Sequence, residues 1–298
     1  MTPDPARELV RRTVSGHLVT AVFQTAAGVL WLRSPGPWRT SEFRTVPADT
    51  ATALRALSGR HLDLVVGEPL GGGLLYRVPS SRPCLDLLSS MPTAAQWTRI
   101  AETLTVVGRG LRALHGLSPG GPHARPLGAQ RLATWLRGGP QSCVSDRLAR
   151  VWHARLGARR TARVLDWCDE LDAAGPRDVL LQGGVSIGSL VDGAGGPPAL
   201  LCGEEIATGR PEYDLGWLCG ELLEWQLAVG DIADVAAVEA ARQAVLRGYG
   251  DGIDLDLIQR VMVLRIATHA HDFAAYVRWI DSLATQLDTV ADLVDRHS

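Results

Sequence analysis

The sequence predicts an α+β protein of two lobes. A small β-rich N-lobe spans residues 1–88, and a larger, mainly helical C-lobe spans 89–298. Three observations predict this. Short apolar runs bounded by Gly and other turn residues crowd the first third. Helical periodicity dominates from Thr93 onward. One pair of strand-like runs, 178–181 and 199–202, interrupts the helices.

In the N-lobe, Thr20 to Gln24 and Val29 to Arg33 flank Thr25-Ala26-Ala27-Gly28, which reads as a hairpin with a four-residue loop. Ala48 to Ser58 reads as a short helix ended by Gly59. Leu62 to Val66 and Leu74 to Val78 are further strands around Gly71-Gly72-Gly73. In the C-lobe, Thr93 with Gln96 three residues later predicts a capping box. Behind it Trp97, Ile100, Leu104, Val107, Leu111 and Leu114 recur at helical spacing up to His115-Gly116. Further helices are predicted at 128–137, 144–155, 160–173, 213–228, 234–248 and 254–274, with a last one ending near 294. Tryptophans 97, 135, 152, 217, 225 and 279 fall in these patterns and are expected in helix packing.

Composition removes several classes of function. The chain has 298 residues, 46% of them hydrophobic and 21% charged, so it is not a disordered chain. A formal net charge of −2 leaves no basic excess for phosphate backbones, so no nucleic acid is expected as a partner. No apolar run reaches membrane-spanning length, so no membrane partner is expected either. All 30 basic residues are arginine. Chemistry that needs a lysine ammonium is therefore excluded in its usual form. The Ala, Gly and Arg bias suggests a GC-rich bacterial genome, which is itself a sufficient cause for the missing lysine. Cys84, Cys143, Cys168, Cys202 and Cys219 are scattered, with no C-x-x-C, and read as reduced, buried thiols. With no signal-peptide pattern in Met1 to Arg12, they point to a cytoplasmic location.

Residues 178–221, DVLLQGGVSIGSLVDGAGGPPALLCGEEIATGRPEYDLGWLCGE, carry the functional signal. This segment resembles the catalytic core of the aminoglycoside phosphotransferase family, whose pattern is HGD, then HPGN, then I-D-W-E, then G-x-P-x-YDL-x-W-L. Gly209, Pro211, Tyr213, Asp214, Leu215 and Trp217 match the last part. Leu111 to His115 is similar to the family's A-L-x-x-L-H. The resemblance implies a bilobal protein-kinase-like fold, and ATP and magnesium as cofactors in an active member.

The chemistry positions depart from the pattern. The family's catalytic aspartate falls on Gly184, within Gln182-Gly183-Gly184. The histidine and asparagine of HPGN fall on Ser186 and Ser189. The magnesium-binding aspartate falls on Cys202, a poor ligand for a hard cation. The framework positions Gly183, Gly188, Tyr213, Asp214 and Trp217 are kept, and Gly183 and Gly188 are expected at tight backbone turns. Glu204 matches a family acidic position. Glu204 and Glu205 are either a reassigned metal site or structural carboxylates, and the loss at Gly184 and Ser189 favours the second. By order of elements Arg33 stands where the family has its basic nucleotide anchor, and it reads equally as a solvated strand-end charge. No Gly-rich phosphate loop stands out at 20–30, and residues 48–59 hold no glutamate to pair with an anchor. His17 and His115 show no carboxylate or thiol context that suggests catalysis. His269 and His271 are poorly spaced for a metal, and Asp251, Asp254 and Asp256 read as a helix N-terminal cluster.

The expected function is that of a catalytically impaired pseudokinase. It would require no cofactor and would bind a protein or peptide partner, or a small molecule between the lobes, in a bacterial natural-product or peptide-modification pathway. The alternative is an active ATP-dependent phosphotransferase with reassigned residues.

Overall fold

The computed structural model describes residues 8–39, 43–59, 61–88, 91–118, 124–139, 146–230 and 234–297. Cys143 and the start of the helix predicted at 144–155 lie outside them.

The N-lobe contains β1 (Glu8–Val14), β2 (Leu18–Thr25), β3 (Gly28–Pro35), α1 (Ala48–Leu57), β4 (Asp63–Val66), β5 (Glu68–Leu70) and β6 (Gly73–Val78). Five of the strands form an antiparallel sheet in the order β1-β2-β3-β6-β5. The β2–β3 hairpin is tighter than its sequence suggests. Thr25 pairs with Gly28, so the loop is the two residues Ala26 and Ala27, with Gly28 at φ 125°. Gly71 and Gly72 form the two-residue turn between β5 and β6, both at positive φ, as that dipeptide favours.

Strand β1 has no counterpart in the sequence reading. It is exposed along its whole length, and its register shifts between Leu9 and Arg11. The extra residue breaks the alternation by which a strand announces itself.

The C-lobe contains α2 (Ala94–His115), α3 (Leu127–Leu136), α4 (Asp146–Asp172), β7 (Val179–Leu181), β8 (Leu190–Val191), β9 (Ala199–Cys202), β10 (Ala207–Gly209), α5 (Glu212–Val229), α6 (Val235–Tyr249), α7 (Leu255–Tyr276) and α8 (Ser282–Arg296). Helix α2 starts at the expected box. Thr93 Oγ1 accepts from Gln96 N, and Gln96 Oε1 accepts from Thr93 N at 2.8 Å. The two helices expected at 144–155 and 160–173 run together as α4, broken at Gly157, where φ is 63°. Trp97, Trp135, Trp152 and Trp217 are buried as expected, whereas Trp225 is half-buried and Trp279 lies in the turn between α7 and α8. Asp254 caps α7 through Leu257 N, consistent with the helix-start reading of the Asp251–Asp256 cluster.

Two features set the frame of the site, one within the C-lobe and one between the lobes. Helices α2 and α6 approach so closely that a Cβ on Gly108 would collide with Val245 O, and one on Gly248 with Thr105 O. Strand β4 leaves the N-lobe sheet to pair in parallel with β9, Asp63 opposite Ala199 through Val66 opposite Cys202. The strand that carries the metal position of the resemblance is thereby bonded to the N-lobe. Val22, Val29, Trp31, Leu74, Tyr76 and Val78 from the small sheet then share one buried cluster with Val191, Ala199 and Leu201 below it.

Candidate functional site

The loop 182–189 between β7 and β8 is held by one face of α5. Asp214, fully buried, accepts from Gln182 N at 2.8 Å and from Gly183 N at 2.8 Å. Seven residues on, two helical turns along the same face, Glu221 accepts from Ile187 N at 2.6 Å and from Ser186 Oγ at 3.2 Å. Burial pushes the Glu221 carboxyl up, against the pull of Arg265 and these donors. Sequence reasoning found Asp214 and missed Glu221. The i to i+7 spacing was the available signal.

Asp214 also binds His115 Nε2 at 3.1 Å, and His115 Nδ1 meets the Tyr249 hydroxyl at 3.0 Å. The fold thus gives His115 a carboxylate partner that the sequence does not display. Its partner is 99 residues away in sequence and comes to it only through the packing of α2, α5 and α6. Tyr213 and Trp217 point inward and stack at 5.0 Å, as the framework reading expects. Gly183 has φ 86°, and a Cβ there would collide with Glu205 O, so this turn requires glycine. Gly188 differs from expectation. Its φ lies outside the left-handed region, and a Cβ would sit 3.3 Å from Ser186 Oγ.

The positions that lost their family residue are bonded inward. Gln182 is buried, donates Nε2 to Leu201 O at 2.9 Å and accepts from Gly184 N at 3.0 Å. Ser189 Oγ donates to Ser186 O at 2.8 Å and accepts from Ser186 N at 3.1 Å. Ser186 Oγ in turn accepts from Gly188 N at 3.0 Å. Cys202 is fully buried, and burial pushes its thiol up to about 12. A thiol held protonated in this way has no charge to offer a divalent cation.

Above this loop the lobes meet through charge. Glu204 forms a two-pronged ion pair with Arg39, Oε1 at 2.9 Å from Nη1, with both side chains almost wholly buried. The Arg39 guanidinium lies 4.3 Å from the Phe43 ring centroid. Glu204 is thus paired with a cation of the same chain. Glu205 is different. A Cβ on Gly184 would lie 3.6 Å from Glu205 Oε2, so this carboxylate borders the space left by the missing aspartate. Burial and the neighbouring Glu204 raise its pKa, against the pull of Arg131, Arg33 and Arg39.

Arg33 sits within β3, two residues before its end. Its guanidinium lies 6.0 Å from the Tyr76 ring centroid, and its Nε is buried with no hydrogen-bond partner among the described residues. It is a cleft residue and not a solvated strand end.

The turn that faces this cleft is Ser15-Gly16-His17 between β1 and β2, not the 20–30 segment. Gly16 N donates to Tyr276 O at the end of α7, and the His17 and Tyr276 rings are 4.9 Å apart. Burial, then Arg131 and Arg39, lower the His17 pKa to about 4, opposed by Asp272. Arg131 and Asp272 pair at 2.7 Å beneath it. Among the described residues, no three His, Cys, Asp or Glu side chains are grouped to hold a metal ion. The residues on the cleft floor do not fit magnesium: one acid faces an arginine, one thiol is neutral, and one serine is turned inward.

A small twisted sheet over a helical lobe, with a β7–β8 loop strapped to α5, defines the kinase-like fold of the aminoglycoside phosphotransferases and related small-molecule kinases. An amicoumacin kinase solved in complex with AMP-PNP, Ca2+ and Ami superposes with TM-score 0.60 at 12% identity, covering 98% of this chain and 89% of its own. The Plasmodium vivax ethanolamine kinase gives 0.61 at 9% identity, covering 99% and 83%. An aminoglycoside phosphotransferase from Streptomyces rimosus, bound to ADP and streptomycin, gives 0.52 at 18% identity, covering 90% and 94%. No protein-family model matches the sequence. No curated protein matches it either.

Two outcomes follow from this geometry. Asp214→Ala leaves two buried N–H groups and His115 without their acceptor, and should cost roughly 3–5 kcal/mol in urea unfolding. Asp214→Asn, which keeps one acceptor oxygen, should cost less. His17 has a folded pKa below its unfolded value, so the unfolded chain binds the proton first as pH falls. Its contribution is complete above about pH 6.5 and is lost towards pH 4. His17→Asn should remove roughly 1–3 kcal/mol of the wild-type stability difference between pH 7 and pH 4.5.

Proposed function

We propose that the protein is a catalytically impaired phosphotransferase-like protein, a pseudokinase, that acts as a binding, scaffold or allosteric partner. The observation that carries this reading is the internal use of every chemistry position. Gln182, Ser189 and Cys202 spend their polar groups on backbone of the same chain, Ser186 donates to the Glu221 carboxylate, and Gly184 has no side chain. Phosphoryl transfer depends on metal ions that neutralise the phosphates and on a residue that orients the acceptor. A loop without these groups, yet still strapped to α5 by two carboxylates, supports selection for shape and not for turnover. The neutral charge balance and the absence, among the described residues, of any helix long and apolar enough to cross a membrane favour a protein or peptide partner, or a small molecule between the lobes. Neighbours that are kinases of amicoumacin, spectinomycin and aminoglycosides favour a place in a bacterial natural-product or peptide-modification pathway.

Glu205 favours a second reading, an active ATP-dependent phosphotransferase acting on a small-molecule or peptide hydroxyl. A raised carboxyl bordering the Gly184 gap could accept an acceptor's proton from a shifted position.

Turnover of ATP separates the two. With Mg2+ or Mn2+ and a panel of aminoglycosides, amino alcohols and Ser-containing peptides, the chain should release no more ADP than buffer. Turnover that Glu205→Gln abolishes would replace the first reading by the second.

A further inference from the structure

We propose that Trp31 plugs the ring-binding slot of the interlobe cleft, its indole taking the place of a nucleotide base. This deepens the pseudokinase reading and rests on it, but it concerns occupancy of the cleft and not the loss of catalytic groups.

The argument starts from strand geometry. In a kinase fold a basic residue on β3 meets the phosphates, and Arg33 is the β3 residue directed into this cleft. Side chains two residues apart on a strand share a face and stand about 6.6 Å apart. Trp31 is that neighbour. It therefore occupies the stretch of the cleft one ring-length from the phosphate position, towards the segment that joins the lobes.

The surroundings of Trp31 suit a planar ring. It is only 3% exposed. Val22 and Tyr76 pair with it across the sheet, and it shares a buried cluster with Val191 on the strand after loop 182–189 and with Leu201 beside Cys202. Apolar groups from the small sheet and from the C-lobe thus enclose the indole from both lobes. Its single polar atom is also placed. Nε1–H donates to Ser80 O at 3.3 Å, on the segment that connects the lobes. An N–H edge bonded to connector backbone, with apolar residues of both lobes around the ring, is the recognition chemistry of a heteroaromatic base. Here the chain satisfies it internally.

The rest of the cleft closes in step. The buried Arg39–Glu204 pair ties the N-lobe to the chain two residues past Cys202, and the Gly16 turn bonds to Tyr276 at the end of α7. A nucleotide would have to expel a buried indole before its own base could enter. The cavity left by removing the indole, in contrast, has the shape and the acceptor for a flat ligand with an N–H donor.

The test uses the full chain and three probes: indole, adenosine and Mg-ATP. Trp31→Ala should lower Tm by roughly 5–10 °C, since it opens a large cavity. Millimolar indole should restore at least 2 °C, and adenosine should also raise its Tm. Wild type and Trp31→Phe, which keeps a ring in the slot, should respond to none of the probes. A folded Trp31→Ala that takes up neither indole nor adenosine would overturn the plug.

Wild type offers a second readout that does not depend on that variant folding. With 15N-labelled tryptophan, the Trp31 indole resonance, assigned by its loss in Trp31→Phe, should exchange slowly with solvent. It should also stay unmoved by 5 mM adenosine. An adenosine-dependent shift of that resonance would overturn the plug as well. The two readings fail separately. Adenosine in the wild-type slot without turnover sinks the plug alone, and turnover with an unmoved Trp31 sinks the pseudokinase reading alone.

Discussion

The buried carboxylate of Asp214 is the constraint on which the rest of the site depends. It accepts from two successive backbone N–H groups at Gln182 and Gly183 and from His115, and through His115 it reaches Tyr249. One group thus joins α2, α5, α6 and the β7–β8 loop. A buried acid is tolerated only where donors converge on it. Three do so here, and they fix the loop in the conformation that Gly183, at φ 86°, makes sterically possible. Glu221 repeats the device two turns along the helix for the other end of the loop.

The side chains of Gln182, Ser186 and Ser189 in the same loop are all engaged within the chain. In a working phosphotransferase a loop of this kind presents oxygen ligands to metal and acceptor. Here the Gln182 amide binds Leu201 O, the Ser189 hydroxyl binds Ser186 O, the Ser186 hydroxyl binds Glu221, and Arg39 pairs with Glu204 two residues past Cys202. Neutral groups with satisfied hydrogen bonds avoid the repulsion that clustered charges would meet there without a cation. Glu205 is the exception, a carboxyl whose pKa burial and Glu204 raise against the pull of Arg131, Arg33 and Arg39.

Much of this was legible in the sequence, because the governing signals are local. The capping box at Thr93, the stripe from Trp97 to Leu114 and the YDL-x-W register at 213–217 are periodicities within one element, and each appears in place. What the sequence hid is non-local. His115 gains its carboxylate from α5, Glu204 gains Arg39 from 165 residues earlier, and the turn over the cleft lies between β1 and β2 because β1 is an exposed, bulged strand with no alternation to reveal it. Trp31 read as one apolar residue of a strand. Its neighbour Arg33 drew attention because charge suggests a ligand, while the indole two residues away was the group that filled the cleft. An apolar side chain declares its role only once the opposite wall, Val191 and Leu201, is in place.

Calorimetric titration of the wild-type chain with Mg-ATP tests the central claim most directly, since it asks whether the cleft receives a nucleotide at all. The account predicts no saturable heat at ATP concentrations up to several millimolar. Micromolar, magnesium-dependent binding at one site per chain would contradict it.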